Sequence, residues 1–163
     1  MNTAFLLLGS NIEPRLDYLN KAKELLAQGV TIVKSSAVYE TEAWQMPAGT
    51  TAFLNQVIEI DGTMTISELF NFTQETERAC NRADKSKNTS RTLDIDLLLF
   101  NHEIIVSPEL QVPHPRLHLR RFTLLPLCEI AGDHIHPQLH QSFHHLLKQC
   151  TDICAVRRYD IAL

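Results

Sequence analysis

The chain has no glycine-rich phosphate loop. Neither Gly-x-x-x-x-Gly-Lys-Ser/Thr nor Gly-x-Gly-x-x-Gly occurs, and its five glycines are scattered. Any nucleotide it binds is therefore held without a P-loop. No apolar run approaches the roughly 18 residues of a membrane helix. The opening Met1-Asn2-Thr3-Ala4-Phe5 carries neither a basic stretch nor a cleavage signature, so a secretory leader is not expected. Basic residues are not in excess: 15 Lys and Arg stand against 19 Asp and Glu, a formal charge of −4. A general nucleic-acid binder carries the opposite balance, so neither nucleic acid nor membrane is expected as a partner. The four cysteines (Cys80, Cys128, Cys150 and Cys154) include no CxxC pair and read as reduced thiols of a cytoplasmic protein.

The remaining composition is ordinary for a folded domain. Of 163 residues, 44% are apolar and 21% charged. A chain of this size buries about two-thirds of its unfolded surface without disulfides or a structural metal. One domain over residues 1–163 is expected, with a monomer favoured and a homodimer as the alternative.

Residues 3–8 form a short apolar run, read as a buried strand ended by Gly9-Ser10-Asn11. Pro14 suits a first helical turn, Leu16, Leu19, Ala22, Leu25 and Leu26 recur at helical spacing, and Gly29 closes the segment. Residues 30–41 predict a second strand, 42–52 a loop, and 53–61 a third strand. Thr65 or Ser67 can cap the next helix. Residues 82–91 are almost wholly polar and read as a loop, and 93–100 predict a fourth strand, with 103–106 returning beside it. This order is the ferredoxin-like βαββαβ pattern: an α+β fold with an antiparallel sheet and helices packed on one face. Two C-terminal helices, near 121–131 and 138–149, and an edge strand at 156–159 complete the expectation.

Arg91-Thr92-Leu93-Asp94-Ile95-Asp96-Leu97 is the most informative segment. In a strand, Asp94 and Asp96 project to one face while Leu93, Ile95 and Leu97 face the other way. Two adjacent carboxylates repel, and a hard divalent cation such as Mg²⁺ removes that cost. Two solvated acids on an exposed strand are the alternative. Arg78, Arg82, Lys85, Lys87 and Arg91 precede the pair, and Arg116, Arg120 and Arg121 follow it. Carboxylates beside mobile cations are what phosphoryl transfer requires, although a solvated basic loop would look the same. His114 is fixed in direction between Pro113 and Pro115. Phe53 and Asn55 share a strand face and can stack on and read a flat heterocycle, with Phe122 and Trp44 as further rings; plain core packing is the competing account. His134, His136, His140, His144 and His145 have no zinc-finger spacing and read as a surface helix face.

In order and spacing, these segments resemble the 6-hydroxymethyl-7,8-dihydropterin pyrophosphokinases of folate biosynthesis. The resemblance runs through Gly9-Ser10-Asn11, Val38-Tyr39-Glu40-Thr41, Phe53-Leu54-Asn55, Gln74 with Glu77, Arg82, the segment from Arg91 to Asp96, Val112-Pro113-His114-Pro115-Arg116, and Arg120 with Phe122-Thr123-Leu124-Leu125-Pro126-Leu127. It implies transfer of the β,γ-diphosphate of ATP to the hydroxymethyl oxygen of a reduced pterin. Asp94 and Asp96 would hold two Mg²⁺ ions, and Arg82 and Arg91 would close over the phosphates. His114, Arg120, Gln74, Glu77 and Leu97 would lie on the nucleotide side. Phe53 and Phe122 would stack on the pterin. Asn55 and the backbone at Thr41, Glu42 and Ala43 would read its edges.

The chain departs from its relatives in the basic segment. Asn81 replaces a glycine, Asp84 a basic residue, and Asn88-Thr89-Ser90 a Trp-Gly-Pro. A pterin- and nucleotide-binding homologue with impaired catalysis is therefore the competing reading. The Asp84 charge opposes phosphate binding, so Asp84→Arg is expected to lower the KM for ATP roughly three- to tenfold. Steady-state kinetics measure this, and an unchanged KM would contradict it.

Overall fold

The computed structural model describes residues 1–42, 48–49, 51–80 and 92–160. β1 (Asn2–Ser10) leads into α1 (Arg15–Leu26), then β2 (Thr31–Ser35), β3 (Tyr39–Thr41), β4 (Phe53–Gly62), α2 (Ile66–Ala79) and β5 (Asp94–Phe100). A small ribbon of β6 (Ile105–Val106) and β7 (Gln111–Val112) follows. After it come a 3-10 turn at Leu117–Leu119, α3 (Arg121–Ala131), α4 (Phe143–Gln149) and β8 (Val156–Arg158). The sheet order is β5-β1-β4, with β2 and β3 pairing successive parts of β4 and β8 flanking β3. Its pairings are antiparallel, as the ferredoxin-like pattern requires. No described helix is long and apolar enough to cross a membrane.

β1 is apolar without alternation because both of its faces are covered. Ala4, Leu6 and Leu8 pack with Leu19, Ala22 and Leu26 of α1 and Leu69 of α2. Phe5 and Leu7 pack on the opposite face with Leu124 and Leu127 of α3 and Phe143 and Leu146 of α4. Thus α1 and α2 share one face as expected, and the C-terminal helices cover the other. Thr65, rather than Ser67, caps α2. Its hydroxyl accepts from Glu68 N–H at 3.2 Å, and its own N–H donates to the Glu68 carboxylate at 2.7 Å.

Three segments differ from the sequence expectation. The second strand breaks into β2 and β3 because Ser36 enters the ladder with its side chain. Ser36 N–H donates to Val57 O at 2.9 Å, while Val57 N–H donates to Ser36 Oγ at 3.0 Å. The register with β4 slips between Ile32 and Lys34 and again before Tyr39. Residues 103–106 do not return beside β5: Ile105–Val106 pairs with Gln111–Val112. The β5 edge instead receives His114 N–H at Leu98 O, 2.9 Å away.

The last helix begins at Phe143, not near 138. The residues before it are used in a bridge between Ile135 and Ser142 and in a turn with His140 at φ 56°. That turn buries His136, so the C-terminal histidines do not form one surface face. His136 Nδ1 accepts from Gln138 and Leu139 N–H at 3.1 and 3.0 Å. Its ring packs edge-on between His118 and Phe143. His134 instead sets its ring edge-on to Phe5.

Burial first, then the neighbouring His118 and His140, lowers the His136 pKa from 6.5 to about 4. The unfolded chain takes up this proton near pH 6.5 and the folded chain only near pH 4. Stability is therefore full above about pH 6.5 and falls as the pH drops from there toward 4. Urea unfolding of the wild type should show a loss on the order of 1–2 kcal/mol between pH 7 and pH 5. In His136→Asn, which keeps an acceptor without a titrating ring, most of that slope should disappear. Equal slopes for the two proteins would rule this out.

Candidate active site

The strand alternation is realised in β5. Leu93, Ile95 and Leu97 enter the core under α1 and α2. Asp94 and Asp96, both half-buried, therefore project on the α3 face. Asp94 lies opposite Gly9 of β1, Gly9 opposite Asn55 of β4, and Asn55 opposite Tyr39 of β3. These residues form one cross-strand row, and with strands about 4.8 Å apart Asp94 and Asn55 stand about 10 Å from each other.

Gly9 makes this row possible. A Cβ there would sit 2.9 Å from Asn55 Oδ1 and 3.8 Å from the Phe53 ring. Asn55 Nδ2 donates to Thr41 Oγ1 at 2.9 Å, with both residues buried, so Oδ1 lies over the bare backbone of Gly9. Phe53 stands two residues before Asn55, on the same face and opposite Thr41. Gly9 was not among the expected site residues. A glycine interrupting an apolar strand was its signal.

The chain leading into Phe53 is anchored from behind. Asn11 Nδ2 donates to Thr51 O at 3.2 Å, and Arg15 Nη1 donates to Ala52 O at 3.0 Å. Buried Arg15 also pairs with Glu13 and Glu40, each at 2.7 Å, and its guanidinium lies 5.7 Å from the Tyr159 ring centroid. Burial pulls the Arg15 pKa down, but the hydrogen bonds and charges of Glu40 and Glu13 more than offset this and raise it. On the other face of β3, Glu129 of α3 accepts from Ala37 N–H at 3.0 Å and from the Tyr39 hydroxyl at 3.0 Å. Burial and this carboxylate push the Tyr39 hydroxyl up, against a smaller opposing effect of Arg158.

The opposite wall comes from the segment after β7. His114 is docked on β5 through its backbone, and its Nδ1 accepts from Arg116 N–H at 3.1 Å. The ring therefore carries its proton on Nε2. Asp152 accepts from Arg121 N–H at 2.9 Å at the start of α3, a favourable position for a carboxylate. Phe122 follows, half-buried, with the Arg120 guanidinium 5.4 Å from its ring centroid.

The expected nucleotide residues divide between the two faces. Gln74 and the buried Glu77 lie on α2, which packs on the face away from Asp94 and Asp96. The Leu97 side chain is buried in that same core. Only β5, the edge strand, separates this group from His114. Glu42 is exposed just beyond β3. Ala43, Arg82 and Arg91 lie outside the described residues, as do Trp44, Asp84, Lys85 and Lys87.

Among the described residues no three His, Cys, Asp or Glu side chains come together as a metal cage. Asp94 and Asp96 offer oxygen donors only. Such a pair suits Mg²⁺, which keeps waters and takes phosphate oxygens as further ligands, and not a closed site for a softer metal.

The family model described as 7,8-dihydro-6-hydroxymethylpterin-pyrophosphokinase matches residues 5–132. The 2-amino-4-hydroxy-6-hydroxymethyldihydropteridine pyrophosphokinase of Bacillus subtilis is 42% identical over 135 residues, 80% of this chain and 78% of that protein. The enzyme of the same name from Aquifex aeolicus is 39% identical over 84% of this chain and 85% of its own length. The fold matches the crystal structure of Plasmodium falciparum HPPK-DHPS with a TM-score of 0.74 at 15% identity. That alignment covers 91% of this chain and 43% of the longer protein, so the likeness speaks to the fold alone. With a family match across most of its length and relatives at this identity, the chain belongs to the 7,8-dihydro-6-hydroxymethylpterin-pyrophosphokinase family.

Proposed function

We propose that this chain is an ATP-dependent diphosphokinase that transfers the β,γ-diphosphate of ATP to the hydroxymethyl oxygen of 6-hydroxymethyl-7,8-dihydropterin. The products are AMP and the pterin diphosphate, a step of folate biosynthesis. The observation that carries the reading is the row of Asp94, Gly9 and Asn55 on one sheet face, with Asp96 and Phe53 beside it. It sets a carboxylate pair next to a buried amide and an aromatic ring. Family membership supports the same reaction. An impaired binding homologue is not favoured, because Asp94 and Asp96 are both present and the relatives are named as pyrophosphokinases.

Each residue role follows from what its position allows. Asp94 and Asp96 hold Mg²⁺, two ions in this reading. Bound Mg²⁺ would neutralise phosphate charge and make the primary alcohol a better nucleophile. Phe53 and Phe122 flank the pterin, Asn55 offers its Oδ1 to a ring N–H, and Thr41 holds that amide in place. Glu42 and Ala43 continue the same edge through their backbone. His114 offers Nε2–H, and Arg120 a guanidinium, to phosphate oxygens. Gln74, Glu77 and Leu97 complete the nucleotide side, and Arg82 and Arg91 offset charge on the transferred group. No side chain is assigned as general base. Positioning and charge neutralisation supply the acceleration. The protein acts as a cytoplasmic monomer.

AMP release from ATP and Mg²⁺, with and without the pterin, tests the reading. The wild type should release AMP only when pterin is present, and Asp96→Ala should lower that rate by at least about a thousandfold. Folded wild type that makes no pterin-dependent AMP would overturn it. Gly9→Ala places a methyl against Asn55 and should raise the KM for pterin roughly tenfold, with a much smaller effect on ATP. Equal changes in both constants would contradict the assignment of Asn55.

A further inference from the structure

Arg15 sits behind the sheet, with Thr41 and Phe53 in front of it. Its Nη1 donates to Glu40 at 2.7 Å and to Ala52 O at 3.0 Å. Glu40 is the residue before Thr41, and Ala52 the residue before Phe53. One buried nitrogen therefore ties the end of β3 to the start of β4. Nε of the same side chain donates to Glu13 at 2.7 Å, which holds the guanidinium plane against the start of α1. The Tyr159 ring, just past β8, lies against its other side.

We propose that Arg15 is a positioning residue for the pterin side of the site. It sets the separation and register of Thr41 and Phe53 without touching substrate. This deepens the functional reading above and rests on its placement of the pterin.

The chemistry favours such a role over ordinary packing. A cation taken out of water is costly unless it is paired and hydrogen-bonded in good geometry. Arg15 offsets that cost with two carboxylates and a carbonyl on three separate pieces of chain: Glu13 before α1, Glu40 of β3, and the backbone ahead of β4. A flat guanidinium can serve acceptors in fixed directions, whereas a lysine ammonium is a point charge on a flexible stem. The pairing thus transmits direction as well as attraction. Alternation along β3 puts Glu40 and Thr41 on opposite faces. A shift of Glu40 must therefore move Thr41, and with it the 2.9 Å hydrogen bond that orients Asn55. The carboxylates on β5 and the segment of His114 and Arg120 have no part in this pairing. The effect is accordingly confined to one substrate.

Calorimetric binding separates this from a merely structural role. The wild type, Arg15→Lys and Glu40→Gln are titrated with 6-hydroxymethyl-7,8-dihydropterin in the presence of Mg²⁺ and a non-hydrolysable ATP analogue. The analogue is also titrated alone with Mg²⁺. Arg15→Lys should weaken pterin binding about tenfold while analogue binding changes less than twofold. Glu40→Gln keeps an acceptor oxygen and should lose only about threefold. It also serves as the test if Arg15→Lys does not fold.

Pterin affinity unchanged in folded variants, or equal losses for both ligands, would overturn the proposal. A wild type that binds pterin but releases no AMP would overturn the catalytic reading and leave this one standing. A wild type that binds no pterin would overturn both.

Discussion

β1 is buried on both faces, and the remaining architecture is arranged around that requirement. Its side chains enter two separate apolar clusters, one under α1 and α2 and the other under α3 and α4. Each fully buried leucine contributes about 1.5–3 kcal/mol, so exposing either face would remove several such contributions at once. The C-terminal helices are therefore part of the core and not an appendage. Where the apolar run ends, the strand turns polar: Ser10 and Asn11 are buried but hydrophilic, and Gly9 has no side chain. The row of Asp94, Gly9 and Asn55 lies at this end.

The placement of charge follows from the same layering. Asp94 and Asp96 lie on the face that α3 covers, and the segment that carries Arg116 and Arg120 is joined to β5 through His114 N–H at Leu98 O. On the other side of the sheet, Arg15 is enclosed by two carboxylates and a carbonyl. The acid pair lies half-buried on one face, and the cation behind it is fixed by acceptors on three pieces of chain.

Much of the fold was legible because it depends on local patterning. The period-2 alternation at 93–97 put both carboxylates on one face, and the structure agrees. The helical spacing of Leu19, Ala22 and Leu26 marked the buried side of α1. Less was legible where one side chain competes with the backbone. Ser36 replaces a carbonyl in the β4 ladder and splits a strand that its β-branched neighbours would have continued. His136 draws residues 138 and 139 onto its ring nitrogen and delays the last helix. Neither event has a periodic signature, because each depends on a partner far away in sequence or on a turn that burial alone selects.

The sequence by itself determined the types of chemistry available: two carboxylates at strand spacing, a histidine held between prolines, an aromatic–Asn pair, and the order of elements that makes a split antiparallel sheet. Only the tertiary structure decided which of these meet. Register between β1, β4 and β5 aligned Asp94, Gly9 and Asn55, and a slip of one residue would have turned the carboxylates into the core. It also set Asn55 against the bare backbone of Gly9 and gave Arg15 acceptors on three pieces of chain. The physical reason is that pattern and propensity act between neighbours along the chain. The space beside a glycine and the partners of a buried cation exist only once distant strands are packed together.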